Sequence, residues 1–362
     1  MNNGYKIIKF DPLKASDELW NAYFDQAEEI YREMEPGETL LARARKKALI
    51  ISSCSNPYHS TYIYLLMAGE GSGRAAASFS LMVETPQSPT YKTNKHIGRL
   101  FNEFSVSPGY RSKGLAKLLL RHVLAELAAN EPGVTELMVP ASLDSGRRFV
   151  EKLGGKLLLE HAESRLYFKD VDWTMVERWD AEGVNRNPGV ALLTVATIPE
   201  ADIMEYSRAY TETINQQPLG GLKLRMEITP EQIRYYEATN LEQGFSHISI
   251  YSRDGNEVSG LTETHYLPDA PHKAQQMLTG VREKYRGLGL GKLLKARMLL
   301  HIRKELPGLK YLVSSNSSTN APMLTINTRL GFKPHLSVGI YQLKITPELV
   351  KQHAEPDVRT AR

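Results

Sequence analysis

Two six-residue stretches, RSKGLA (Arg111–Ala116) and RGLGLG (Arg286–Gly291), each set an arginine ahead of glycine and open into an amphipathic pattern of helical period. A helix N-terminus presents N–H groups without intrahelical partners and a partial positive charge, and glycine lets the backbone close around an oxyanion with no Cβ in the way. The chemistry on offer is the holding of a pyrophosphate. Close helix packing is the other use of such glycines, each of which otherwise costs roughly 0.5–1 kcal/mol relative to alanine. Spacing excludes two common nucleotide loops. G-x-x-x-x-G-K-[ST] fails because Arg286 stands five before Gly291 and Leu293 follows Lys292, and G-x-G-x-x-G fails because Lys292 stands where the third glycine belongs. Both stretches satisfy R-x-x-G-x-[GA].

The two stretches belong to a longer repeat. Tyr110, Arg111, Gly114 and Leu115 recur as Tyr285, Arg286, Gly289 and Leu290, and the helical stripe Leu115, Leu118, Leu119, Val123, Leu127 recurs as Leu290, Leu293, Leu294, Met298, Ile302. FVEKLGGKL (Phe149–Leu157) then pairs with INTRLGFKP (Ile326–Pro334), the offset having grown by two residues. A period of half the chain describes two tandem domains, 1–180 and 181–362, joined in the polar, glycine- and proline-bearing DAEGVNRNPG (Asp180–Gly189). Each copy reads as an amphipathic helix, several strands, the glycine turn with its helix, a strand, a second helix and closing strands. That order predicts an α/β (α+β) fold, a mixed and mostly antiparallel sheet flanked by helices. ALIISSCS (Ala48–Ser55) reads as an apolar core strand holding Cys54, and Arg43, Arg45, Lys46 and Lys47 ahead of it as a solvated helix face.

The 362 residues carry a formal net charge of +4 and one cysteine. Charge so near balance argues against nucleic acid or an anionic membrane as the main partner, and a lone cysteine excludes an internal disulfide framework and a cysteine-cluster metal site. No metal is expected. MNNGYKIIKF has no signal-peptide core and no segment is long and apolar enough to span a bilayer, so the expectation is a cytoplasmic protein.

The R-x-x-G-x-[GA] turn, followed by NSSTNAPMLTINTRLGFKP (Asn316–Pro334) in the second copy and by LGGK in the first, resembles the coenzyme A loop and the next motif of the GNAT N-acetyltransferase superfamily. The second copy is the closer match to the motif. Together the copies cover nearly the whole chain, which resembles a tandem GNAT protein. The resemblance implies an acetyl-CoA-dependent N-acetyltransferase acting on a primary amine of a small molecule or peptide. A non-catalytic acyl-CoA-binding module or sensor is the alternative. It further implies that acetyl-CoA lies between two splayed strands. Its contacts would come from Leu278, Thr279, Val281, Arg286, Gly287, Leu288, Gly289, Leu290, Gly291, Asn320 and Asn327 in the second copy. In the first they would come from Phe104, Val106, Arg111, Ser112, Lys113, Gly114, Leu115 and Ala116.

The proton-transfer groups are less regular. Where many members of that family carry a tyrosine acid, three residues before the leucine of the last motif, this chain has Val150 and Asn327. Glu103, on the strand leading into the first turn, and Glu263, on the strand preceding the corresponding one of the second copy, are the candidate catalytic bases. His265 shares a strand face with Glu263. Asp25, Glu28 and Glu29 on the first helix are placed to attract a cationic substrate.

Overall fold

The computed structural model describes residues 4–69, 73–100, 104–218, 220–221 and 224–354, the last four as backbone only. In chain order, the elements begin with β1 (Tyr5–Phe10), α1 (Asp17–Met34), α2 (Arg43–Cys54), β2 (His59–Ala68), β3 (Arg74–Glu84), α3 (Tyr91–Asn94), β4 (Ile97–Leu100) and β5 (Ser105–Val106). Next come α4 (Leu115–Asn130), β6 (Glu136–Ala141), α5 (Asp144–Lys152), β7 (Lys156–Tyr167), α6 (Trp173–Arg186), β8 (Val190–Val195), α7 (Ile203–Asn215) and α8 (Pro230–Glu242). The remainder is β9 (Ser246–Asp254), β10 (Glu257–Tyr266), β11 (Lys273–Val281), α9 (Leu290–Glu305), β12 (Tyr311–Ser317), α10 (Ala321–Leu330), β13 (Lys333–Lys344) and α11 (Pro347–Ala354).

These elements form two compact units, Met1–Leu158 with Gly339–Arg362, and Leu159–Val338. The first unit has strand order β1-β2-β3-β4-β6-β13, with β5 on β3, and the second β8-β9-β10-β11-β12-β7. Both sheets are antiparallel except for one pair, β4/β6 in the first and β11/β12 in the second. The mixed, mostly antiparallel sheet expected from the sequence is therefore present twice.

The stripe that recurs in the sequence is what fastens each glycine-turn helix to its sheet. Leu119, Val123 and Leu127 of α4 are buried among Phe79, Leu81 and Leu137, and Leu294, Met298 and Ile302 of α9 are buried among Ile250, Ala274 and Leu312. Each such side chain removed from water contributes roughly 1.5–3 kcal/mol.

Three local readings are corrected by the structure. Ala48–Ser52 is not a strand but part of α2, because the short apolar run continues a helix-forming segment that begins at Arg43, and such a run has no periodicity to separate the two states. Arg43 and Lys46 on it are not simply solvated: the Arg43 guanidinium binds Glu28 (Nε–Oε1 2.8 Å) and Asp25 (Nη2–Oδ1 2.6 Å), and the Lys46 ammonium stands over the Tyr31 ring. DAEGVNRNPG is not an open linker. Asp172 caps α6, which runs on to Arg186, and Gly183 within it is a packing glycine, since a Cβ there would lie 2.7 Å from Leu293 Cβ on α9.

The units also part elsewhere than at 180/181. β7, the closing strand of the first copy, pairs Ser164 with Ser314 and Tyr167 with Tyr311 in the second sheet. Its repeat equivalent β13 pairs Gly339 with Ala141 and Lys344 with Glu136 in the first. Tyr341, Leu343 and Leu349 complete the first core. Residues 1–180 alone lose these three side chains, roughly 5–9 kcal/mol of burial against a typical net stability of 5–15 kcal/mol. The expected outcome for that fragment is no cooperative melting transition by circular dichroism, whereas a transition at the full-length Tm would refute the exchange.

Candidate functional site

In the first unit the parallel pairing of β4 with β6 runs, among the described residues, from Ile97 and Glu136 to Arg99 and Met138. Beyond that point β5 pairs with β3 through Ser105 and Val106, while β6 pairs with β13. A cavity of about 520 Å³ opens between β5 and β6, floored by the glycine turn and closed by α5. The turn is shaped for it. Ser112 (φ 61°) and Gly114 (φ 76°) are left-handed, and a Cβ on Gly114 would meet nothing within 4 Å. Leu115 then starts α4, so the helix N-terminus faces the opening.

Arg111 holds the turn in place. Its Nε donates to the Val106 carbonyl (3.0 Å) and its two terminal nitrogens to the Glu33 carboxylate of α1 (2.7 and 2.5 Å). The Arg111 hydrogen bond leads the causes that lower the Glu33 pKa, outweighing burial. The arginine of the motif is thus a clamp between turn and helix, and a ligand would meet the backbone of 112–116. Lys113 turns away, Nζ donating to Gly109 O at 2.9 Å. Phe104 packs edge-on against Phe79 and Phe149. Lys117, Arg148 and Lys152 join Arg111 around the cavity, and among the described residues no aspartate or glutamate lines it. Sequence reasoning missed these three cations. Their signal is a spacing: Arg148 and Lys152 lie four apart on α5, hence on one face. Val150 is buried in the core, and Glu103 lies outside the described residues.

The second unit repeats the turn and uses it differently. Gly287 and Gly289 are left-handed (φ 81° each), and Arg286 again clamps the turn to a helix end, Nη2 donating at 2.5 Å to Oε1 of Gln216, the C-cap of α7. Here, however, α6 lies against α9. A Cβ on Gly289 would be 3.3 Å from the Arg186 guanidinium, and Asn187 donates to the Leu288 carbonyl. The space at this turn is about 230 Å³, lined by Trp179, Arg186, Lys292 and Arg329 among others. Leu278 and Leu290 are core side chains, and Val281 packs at the core margin. Thr279 bonds Thr262, Gly291 lies beside Ile326, and Asn320 caps α10. Asn327 is 3 % exposed and donates to Asn316 Oδ1 at 2.6 Å, leaving its own oxygen as an unpartnered buried acceptor. At Gly287 and Gly289 the left-handed backbone, more than packing, calls for glycine, since a Cβ would meet nothing within 4 Å at the first and only the end of the Arg186 side chain at the second.

Glu263 and His265 share a face of β10 as expected, but that face is closed. Glu263 is 6 % exposed, accepts from the Tyr206 hydroxyl at 2.7 Å and stands 3.4 Å from His247 Nε2, an ion-pair distance without a formed hydrogen bond. Burial, which alone would raise its pKa, is outweighed by His247 and Tyr206, so the carboxyl titrates below its usual range. His265 is pushed down to about 4 by burial and by His247, Glu263 opposing. Both shifts carry the same sign. A folded-state pKa below the unfolded value gives stability that is present above the unfolded pKa and lost on acidification, so for His265 the window is pH 6.5 to 4. Unfolding titrations should show a fall across that window, to which His59, also held down to about 4 by burial, contributes, and His265→Gln should remove on the order of 3 kcal/mol of it. A wild-type profile that is flat there would refute this placement.

Comparison with known proteins now adds to the geometry. Residues 24–154 match the family model described as acetyltransferase (GNAT) family. No curated protein sequence matches the chain. Among solved structures, the tandem GNAT protein from the clavulanic acid biosynthesis pathway is 17 % identical, with a TM-score of 0.71 over 95 % of this chain and 99 % of that one. A GCN5-related N-acetyltransferase from Sphaerobacter thermophilus gives 14 % and 0.62 over 96 % and 98 %. At these identities the likeness is one of fold. Among the described residues, no helix is long and apolar enough to cross a membrane. The family-model match is thus confined to residues 24–154, while over nearly its whole length the chain shares the fold of the tandem GNAT protein to which it is similar.

Proposed function

We propose that the chain is an acetyl-CoA-dependent N-acetyltransferase whose cofactor is held in the first unit. The observation that carries this reading is the first cavity: about 520 Å³, set over a left-handed glycine turn and a helix N-terminus, and lined among the described residues by four cations and no carboxylate. That donor set fits a polyphosphate with a long uncharged arm. Backbone N–H groups of 112–116 and Lys117, Arg148 and Lys152 would hold the phosphates, and the free edges of β5 and β6 would align the arm. When bound, acetyl-CoA supplies an acetyl thioester: the amine nitrogen forms the N–C bond, the C–S bond breaks with its electron pair on sulfur, and the proton lost by the amine is balanced by one gained by the thiolate.

The chain's own tasks are to keep the amine neutral, to hold it at β5 and to exclude water. Glu103, two residues before β5, is the carboxylate we assign to receive the amine proton. Glu263, fixed between Tyr206 and His247, serves the second unit's polar core. The non-catalytic reading has one observation in its favour, the burial of Val150 where a proton donor would stand. Thiol release on mixing the protein with acetyl-CoA and amines separates the two.

Gly114→Val should weaken CoA binding at least tenfold by calorimetry, about 1.4 kcal/mol, because the side chain enters the phosphate side of the cavity on a backbone that disfavours it. Gly289→Val should change affinity less than threefold. The opposite ranking would move the cofactor to the second unit. Glu103→Gln should lower kcat roughly 10²-fold with CoA affinity unchanged, and wild-type turnover would remove it as the base.

A further inference from the structure

A second cavity of the first unit, about 490 Å³, lies between α1, α2 and the sheet, and shares Ile30 and Ser105 with the first. Its walls are largely apolar: Tyr23, Phe24, Tyr31, Met34, Leu49 and Ile50. Four serine hydroxyls, Ser53, Ser78, Ser80 and Ser105, join Gln26 in the lining, and among the described residues Lys46 is its one cation and no aspartate or glutamate is present. The acids the sequence offered for a cationic substrate are not there. Asp25 and Glu28 are bound to Arg43, and neither they nor Glu29 lines the cavity.

The hydroxyls at the junction are ordered by a closed cycle. Gln26, 2 % exposed, donates to Ser105 Oγ (2.8 Å), and Ser78 donates to Gln26 Oε1 (3.0 Å), so at 3.1 Å Ser105 must donate to Ser78. Ser105 Oγ then keeps one lone pair and no free proton, which makes it an acceptor for an N–H at the point where the cavities meet. The Lys46 ammonium, 5.6 Å from the Tyr31 ring centroid, has no ion pair or hydrogen bond among the described residues, and burial lowers its pKa.

Resting on the reaction proposed above, we propose that this cavity takes an apolar amine that also carries a carboxylate, with the carboxylate on Lys46, the apolar body against α1 and α2, and the amine N–H on Ser105. Walls so largely apolar favour the neutral amine that must attack, and beside the Lys46 cation they disfavour polyamines.

The test compares L-phenylalanine and L-leucine with phenethylamine, isoamylamine and spermidine, by thiol release from acetyl-CoA and by thermal shift without acetyl-CoA. The amino carboxylates should exceed their decarboxylated counterparts about tenfold in kcat/KM and give the larger rise in Tm. Lys46→Gln should abolish both differences, and Lys46→Glu should turn the preference toward spermidine. Preference of the wild type for phenethylamine or spermidine, or an unchanged ratio in folded Lys46→Gln, overturns the proposal while leaving the reaction intact. Should either variant fail to fold, the wild-type ratio decides. Loss of the reaction reading shows separately, as failure to bind CoA, and the thermal-shift comparison still judges the cavity.

Discussion

Parallel strands β4 and β6 stay paired for three residue positions and then part, and the first unit is arranged around that parting. A sheet leaves backbone groups without partners only where something else can satisfy them. Here the freed edges of β5 and β6 face a cavity that the glycine turn floors, and β5 stays in place because its other edge is bonded to β3. The Arg111–Glu33 pair then ties the start of the turn to α1, so the same helix that walls the second cavity also fixes the phosphate side of the first. A small movement of α1 would therefore reach both cavities together.

The second unit keeps the scaffold and spends it on packing. Its parallel pair parts after Gln276 and Ser314, yet α7 comes so near β11 that a Cβ on Gly280 would lie 2.4 Å from Thr213 Cβ, and α6 covers the turn from the other side. In place of the hydroxyl cycle of Gln26, Ser78 and Ser105, the second unit has Tyr206 of α7 over His247, Ser249 and Glu263 of its sheet, a cluster that completes itself except at the His247 ring nitrogens. One fold thus serves twice, once around an opening and once around a filled interior.

How far the sequence discloses this depends on how local each determinant is. The repeated turn and the stripes of α4 and α9 are local, and helical period with a 175-residue offset sufficed to find them. The arginines were legible as part of the turn but not as clamps, because their acceptors, Glu33 and Gln216, stand some seventy residues away in sequence. The second copy's motif is the fuller one, yet the open cavity is in the first. What closes the second turn is Gly183 on α6, a residue that reads as a linker glycine until its partner Leu293 is known. Ala48–Ser52 misled for a simpler reason, since a short apolar run has no period of its own.

The crossing of the closing strands also sets a timetable for synthesis. The chain leaves the ribosome with β6 complete at Ala141, but the part of β13 that covers its edge begins at Gly339, roughly two hundred residues later. At 5–20 residues per second that is a wait of about 10–40 s during which a nearly finished sheet shows an unpaired edge beside an incomplete core. Such an edge is a template for a second chain. A protein built this way depends on chaperone cover during translation more than two independently closed domains of the same length would.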